Sequence, residues 1–327
     1  MSVGRPGGDP RPPAVFLLGP TASGKTELAV ELAERLPLEI VSVDSALVYR
    51  GLDIGAARPD AVTLARAPHH LLDLADPAEP YSAGRFREDA LAAMAGITAR
   101  GRVPLLAGGT MMYVQALTRG LAPMPPSDAQ VRARLAEELE DQGSAVLHAE
   151  LAAVDPEAAQ RIHPNDPQRI QRALEVYRIS GRPISSYHTH ARNRGDALGY
   201  RTLHLALAPA KRPTLHARIE RRFRQMLADG LLDEVAGLLA QPGVTADCPA
   251  MRAVGYRQIA EHLAGQVDYD TMVDHAITAT RQLAKRQLTW LRGMEAIEWY
   301  DSESAPLDAI TARIRRYMAE GTTDEHG

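Results

Sequence analysis

The segment Gly19-Pro-Thr-Ala-Ser-Gly-Lys-Thr26 constrains this chain more than any other. It matches G-x-x-x-x-G-K-[ST] in full, with an apolar run at 15–18 before it and Leu28, Ala29, Leu32, Ala33 and Leu36 at helical spacing after it. Strand, glycine loop and helix in that order make a phosphate cradle. The glycines let successive backbone N–H groups turn inward, the helix N-terminus adds partial positive charge, and Lys25 adds a full one. Gly19, Pro20, Thr21, Ala22, Ser23, Gly24, Lys25 and Thr26 are therefore expected to hold a diphosphate or polyphosphate. The loop alone leaves open whether those phosphates belong to a nucleotide or to another diphosphate ester.

Such a loop hangs from a sheet. Strands are predicted at 39–43 and 103–107, the latter after a helix that Ser82 caps and Gly101 ends, and again at 203–208 and 297–300. Strands alternating with helices imply an α/β fold: a P-loop NTPase-like parallel sheet covered by helices, with ligands at the carboxyl ends of its strands. Between these strand blocks the pattern turns helical, at 127–142, 144–154 and 166–180, which reads as an all-helical insertion. Further helices are predicted over 214–239, 254–263 and 271–291. The expected organisation is a flexible extension at 1–13, a core of 14–122 and 198–315, an insertion at 123–197 and a flexible tail at 316–327.

Composition excludes some classes. The apolar stretches are strand-sized, far below the roughly 20 residues of a membrane helix, and the Gly- and Pro-rich start lacks the apolar stretch of a secretory signal. A single cysteine, Cys248, forms no internal disulfide and no cysteine-cluster zinc site, which fits the cytoplasm. The net charge of -4 does not suggest a polyanionic partner, yet residues 157–194 hold seven arginines against three acids. His69 and His70, adjacent on a strand, face opposite ways and are expected to be structural rather than metal ligands. Trp290 and Trp299 are expected in the core.

At the end of the second strand stands Asp44, a carboxylate that can hold magnesium, accept a proton from a nucleophile or merely cap a turn. The third strand ends in Ala107-Gly108-Gly109-Thr110, without the carboxylate by which many nucleotide hydrolases organise magnesium. A nucleotide or small-molecule kinase using ATP is thus the weaker alternative. An RNA-binding protein without chemistry is a third reading, one with no use for Asp44.

Taken in order, Gly19–Thr26, Asp44-Ser-Ala-Leu-Val-Tyr-Arg-Gly-Leu-Asp-Ile-Gly55, His69-His-Leu-Leu-Asp73, Gly108-Gly-Thr110, Arg161-Ile-His-Pro-Asn-Asp-Pro-Gln-Arg169 and Arg281-Gln-Leu-Ala-Lys-Arg-Gln-Leu-Thr-Trp290 resemble the tRNA dimethylallyltransferase family. The resemblance implies that the loop holds dimethylallyl diphosphate and that the group passes to N6 of adenosine 37, beside the anticodon. It implies Asp44 as general base, Lys25 and a magnesium ion near Thr26 at the leaving diphosphate, and Thr110 beside the adenosine. Contacts to the anticodon stem-loop are implied for Asp44, Ser45, Ala46 and Leu47, for Arg132, and for Gln168, Arg169, Ile170, Gln171 and Arg172. The same is implied for Arg252, Gly255, Tyr256 and Arg257, and for Arg281, Lys285, Arg286 and Arg292. Where the family more often has Thr and Lys, this chain has Ala56 and Arg58. With no exposed heptad seam, a monomer is expected.

Overall fold

The computed structural model describes residues 9–187, 198–304 and 306–320. They form two compact units, Met1–Val114 with Gly199–Gly327, and Gln115–Leu198. In the first unit, β1 (Pro13–Leu18), β2 (Leu38–Val43), β3 (His69–His70), β4 (Val103–Gly108), β5 (Arg201–Ala208) and β6 (Ile297–Asp301) make one sheet. Its order is β3-β2-β4-β1-β5-β6 and every neighbouring pair is parallel. In chain order the helices are α1 (Lys25–Arg35), α2 (Ala61–Arg66), α3 (Ala83–Ala99), α4 (Met111–Arg119), α5 (Ala129–Gln142), α6 (Ser144–Val154) and α7 (Pro156–Arg161). They continue as α8 (Pro167–Ser180), α9 (Arg212–Ala228), α10 (Leu231–Leu239), α11 (Tyr256–Leu263), α12 (Tyr269–Arg292) and α13 (Leu307–Ala319).

A strand buried on both faces reads as a continuous apolar run, and β1 is one. Val15 and Leu17 join Ile40, Leu105, Leu203 and Leu205 in a cluster closed by α1 and by Ile310 and Ile314 of α13. Phe16 and Leu18 alternate away from it and are equally inaccessible. α3 packs on β2 and β4 through Phe86, Ala90, Met94 and Ile97. Ser82 caps α3 by accepting the Arg85 N–H (3.1 Å). Glu39 is 5% exposed within β2 and is held by Arg100 at 2.6 Å and His70 at 2.8 Å, and the Arg100 guanidinium keeps its carboxyl below the ordinary range. His69 hydrogen-bonds the Ala67 carbonyl (2.8 Å), so both histidines are engaged in the fold. Among the described residues no group of three acids, histidines or cysteines could hold a metal, and no helix is long and apolar enough to cross a membrane.

The second unit has its own core of Leu135, Leu147, Leu151, Ile170, Leu174 and Val176, drawn from α5, α6 and α8. Inside it Glu175, 1% exposed, accepts from Arg132 Nε (2.9 Å), Arg172 Nη1 (2.6 Å) and the Asp128 N–H (3.1 Å). A carboxylate this buried persists only when paired and hydrogen-bonded.

Several boundaries differ from expectation. The second unit begins at Gln115, within α4, rather than at 123. α13 runs through position 316 to Ala319 because Ile310, Ile314 and Tyr317 give it a buried stripe, so the described part of the expected tail is helix. Residues 1–8, 188–197 and 321–327, on which the rest of the extension, insertion and tail calls fall, lie outside the described residues. The stretch 214–239 is two helices, parted at Asp229 and Gly230. Trp299 is not core: it is 43% exposed on the edge strand β6, which has a neighbour on one side only.

Candidate active site

Three adjacent strands deliver the site. β2, β4 and β1 end respectively in Asp44, Thr110 and the loop 19–26, and the register places Gly108 beside both Val43 and Leu18. Two inter-strand spacings, about 10 Å, separate the outer strands. Such close approach leaves no room at β4 for a side chain: a Cβ on Gly108 would lie 2.1 Å from the Val43 carbonyl oxygen, and one on Gly109 would lie 2.4 Å from Gln287 Nε2. Small residues here are a packing requirement.

The loop enters α1 through Gly24, whose φ of 88° is the left-handed conformation that favours glycine. No side chain caps the helix, so its first amides face the loop's concavity. Lys25 Nζ donates to the Pro20 carbonyl (3.2 Å). Part of the Lys25 side chain is accessible, but burial of its ammonium lowers the pKa to about 8, with Asp44 pulling the other way. Ser23 is fully buried and its hydroxyl has no hydrogen-bond partner among the described residues.

Asp44 accepts the Ala46 N–H (2.8 Å), which turns the chain sharply after β2. The Ser45 N–H donates to Thr110 Oγ1 (3.0 Å), and the Gly109 and Thr110 amides both donate to the Val43 carbonyl. Thr110 thus ties the Asp44 turn to the end of β4. Downstream, Glu234 of α10 accepts from the amides of Asp53, Ile54 and Gly55 (3.2, 2.6 and 3.2 Å) and from the Tyr256 hydroxyl (2.6 Å). This carboxylate fixes the segment that follows the turn.

Two residues outside the sequence-derived set belong to the site. Arg222 of α9 lies near enough to Asp44 and Lys25 for their charges to interact; burial lowers its pKa, with Asp44 opposing that shift. Gln287 of α12, 8% exposed, accepts the Thr21 N–H (2.9 Å) and donates to the Gly109 carbonyl (2.9 Å), bridging the phosphate loop to the end of β4. Their signal was present as polar residues on apolar faces. Arg222 falls between Ile219 and Phe223, and Gln287 between Ala284 and Leu291.

Other expected residues divide by environment. Gln168 and Arg169 are exposed on α8, whereas Ile170 is wholly buried in the second unit's core and Gln171 donates to the Leu135 carbonyl (3.2 Å). Arg132 and Arg172 are spent on Glu175. Arg252 and Arg257 are exposed, but Gly255 is buried and Tyr256 is fully enclosed, its hydroxyl bound to Glu234. Ile170 and Tyr256 therefore leave the surface set, because helical periodicity turns them inward. Lys285, Arg286 and Arg292 are exposed on α12, while Arg281 pairs with Glu220 (3.0 Å). Arg58 is bound to Asp73 at 2.6 Å, and the Ala56 N–H donates to the Tyr256 hydroxyl (3.2 Å).

A family model for IPP transferase matches residues 47–294, and one for isopentenyl transferase matches residues 13–73. The tRNA dimethylallyltransferase of Thioalkalivibrio sulfidiphilus (strain HL-EbGR7) is 58% identical over 307 residues, 94% of this chain and 95% of the relative. The full-length tRNA isopentenylpyrophosphate transferase of Bacillus halodurans is structurally similar, with a TM-score of 0.69 and 34% identity over 95% of this chain and 98% of that one. A eukaryotic dimethylallyltransferase captured acting on tRNA gives a TM-score of 0.75 at 27% identity, covering 93% of this chain and 77% of that one. Phosphate loop, Asp44 turn and Gly-Gly-Thr strand end stand within this shared frame, and the chain belongs to the IPP transferase family.

Proposed function

We propose that this chain transfers a dimethylallyl group from dimethylallyl diphosphate to N6 of adenosine 37 in tRNA, releasing diphosphate. It is a transferase that modifies tRNA with a dimethylallyl group, as its 58% identical relative is named. The observation that carries the finer reading is the juxtaposition of a diphosphate cradle with Asp44 across a strand end, Gly108-Gly109-Thr110, that bears no carboxylate.

In this reading N6 attacks carbon 1 of the allylic group, the N–C bond forms as the C–O bond breaks, and the diphosphate leaves with the electron pair. The N6 lone pair is delocalised into the purine and attacks poorly until its proton departs; Asp44 takes that proton. Charge develops on the departing diphosphate, where Lys25, Arg222 and the amides of the loop and α1 stand ready. The exposed Thr26 hydroxyl on the first turn of α1 suits magnesium, which keeps several waters and takes oxygen ligands from phosphates. When bound there, the ion neutralises part of the diphosphate charge. Thr110, tied to Ser45, holds the turn that presents Asp44.

An adenine in an anticodon loop must leave its stack to reach this turn, at a cost of a few kcal/mol repaid by contacts to the RNA. Gln168 and Arg169 on the second unit, and Arg252, Arg257, Lys285, Arg286 and Arg292 on the first, are the exposed groups we assign to the anticodon stem-loop. Ser45, Ala46 and Leu47 are assigned beside the adenosine. The enzyme is proposed to act as a cytoplasmic monomer.

The test supplies purified protein and magnesium with labelled dimethylallyl diphosphate and an unmodified tRNA carrying adenosine 37, and ATP as a parallel donor. Label transfer to the RNA supports the reading; phosphoryl transfer from ATP without prenylation overturns it. The Lys25 shift adds a pH dependence. A lysine with lowered pKa loses its charge as pH rises through about 8, so KM for dimethylallyl diphosphate is expected to climb above that pH and to be flat below it, as steady-state kinetics would record.

A further inference from the structure

The carboxyl ends of β5 and β6 border a cavity of about 620 Å³ that takes no part in the transfer step above, although Lys285 and Arg292 of its lining are among the groups assigned to the anticodon stem-loop. It lies wholly within the first unit. Leu215, Ala284 and Leu288 form its apolar floor, and Ala22 of the phosphate loop packs against the same cluster. Arg212 and His216 of α9 and Lys285 and Arg292 of α12 stand on its walls, with Arg281 beside them, already paired with Glu220. Trp299 of β6 also lines it.

Each of these features narrows the occupant. An indole normally buries most of its area on folding, yet Trp299 is 43% exposed while lining a concavity. Four cationic side chains line or flank the cavity against one lining carboxylate, Asp301, whose Oδ1 is occupied by the Ala210 and Glu303 amides (3.1 and 3.0 Å). Arg212 Nε points at His216 Nε2 (3.3 Å), and burial together with the Arg212 and Arg281 charges lowers the His216 pKa, so this imidazole serves as an acceptor that orients Arg212. Carboxyl ends of parallel strands are where ligands collect, and the volume falls within the few hundred to about 1,000 Å³ of small-ligand sites. A simple anion needs neither that room nor an aromatic wall. An acidic peptide would use the cations but leave the indole unpaired.

We propose that this cavity is a nucleotide subsite for the RNA substrate, in which one base stacks on Trp299 while adjoining phosphates lie against Arg212, Lys285 and Arg292. The proposal rests on the tRNA reading and adds to it a base-holding pocket separate from the Asp44 turn. An aromatic platform ringed by cations is how proteins hold an unstacked base on a charged strand. The chain's arrangement gives the RNA a second anchor point on the same helix that carries Gln287 of the catalytic site.

The test uses the full-length chain with Trp290→Phe, which leaves Trp299 as the only tryptophan, after confirming that this variant still prenylates tRNA. Unmodified tRNA is expected to quench Trp299 fluorescence saturably, whereas AMP and inorganic phosphate at equal concentration are not. In the otherwise native chain, Trp299→Ala should weaken tRNA binding on the order of ten-fold and Trp299→Phe should retain most of the affinity. Arg212→Ala, an exposed change that leaves the edge strand untouched, should lower the slope of log affinity against log salt by about 0.7 to 0.9. Unchanged fluorescence with normal tRNA affinity in Trp299→Ala and an unchanged slope in Arg212→Ala overturns the subsite while leaving the tRNA reading intact. Quenching by AMP but not by tRNA overturns the RNA as occupant. Absence of any tRNA binding by the native chain overturns the parent reading itself.

Discussion

Asp44→Ala is expected to lower the turnover number by about 100- to 10,000-fold, the span attributed to a positioned general base, with little change in affinity for dimethylallyl diphosphate. The separation follows from the architecture. Asp44 leaves β2 while the phosphate cradle leaves β1, and β4 stands between them. Removing the carboxylate therefore takes nothing from the loop's amides. It does release the Ala46 N–H, a local loss of about 1 kcal/mol in an accessible turn. Asp44→Asn keeps an acceptor for that amide while removing the base, so it should match Asp44→Ala in turnover and the native chain in its urea midpoint. Near-native single-turnover rates in Asp44→Asn would remove Asp44 from the base role.

Gln287→Leu is expected to damage both stability and catalysis. The substitution preserves bulk but strands the buried Gly109 carbonyl and the half-buried Thr21 N–H; a buried group left without a partner costs about 1 to 3 kcal/mol and a half-buried one less. A loss of about 2 to 4 kcal/mol should appear as a lower urea midpoint at unchanged slope. Because Gln287 holds the diphosphate loop and the Thr110 strand end in one register, KM for the diphosphate should rise and turnover should fall at least ten-fold, since misplacement by an ångström is enough for larger effects. A destabilised variant with native kinetics would limit Gln287 to the fold.

How far the site was legible depends on the range of its contacts. The loop 19–26 declares itself because the strand, glycines, lysine and helix that make it are consecutive, and Asp44 and Thr110 because strand ends are readable from apolar runs. Arg222 sits in an arginine-rich helix, where only the Leu215, Ile219 and Phe223 stripe separates an inward arginine from its solvated neighbours. The resemblance implies RNA contacts for whole segments, Ile170 and Tyr256 included, but a segment is no guide to the direction of each side chain, since successive helical residues lie about 100° apart and these two are buried. Arg132 and Arg172 illustrate a further limit. Composition shows an arginine, but only the fold reveals that Glu175 is buried between them. Trp299 follows from topology, because nothing local marks β6 as an edge.

The Thr21–Gln287 bond joins residues 266 positions apart, and Glu234 reaches the 53–55 amides across some 180. A ribosome has therefore emitted the whole phosphate signature long before the side chain that sets its shape exists. Contacts of such separation form late, because the loop they close must first be ordered. Nascent chains ending before position 287 carry the complete motif but not the side chain that ties it to the end of β4, so the loop acquires its bracing well after its own residues have been made.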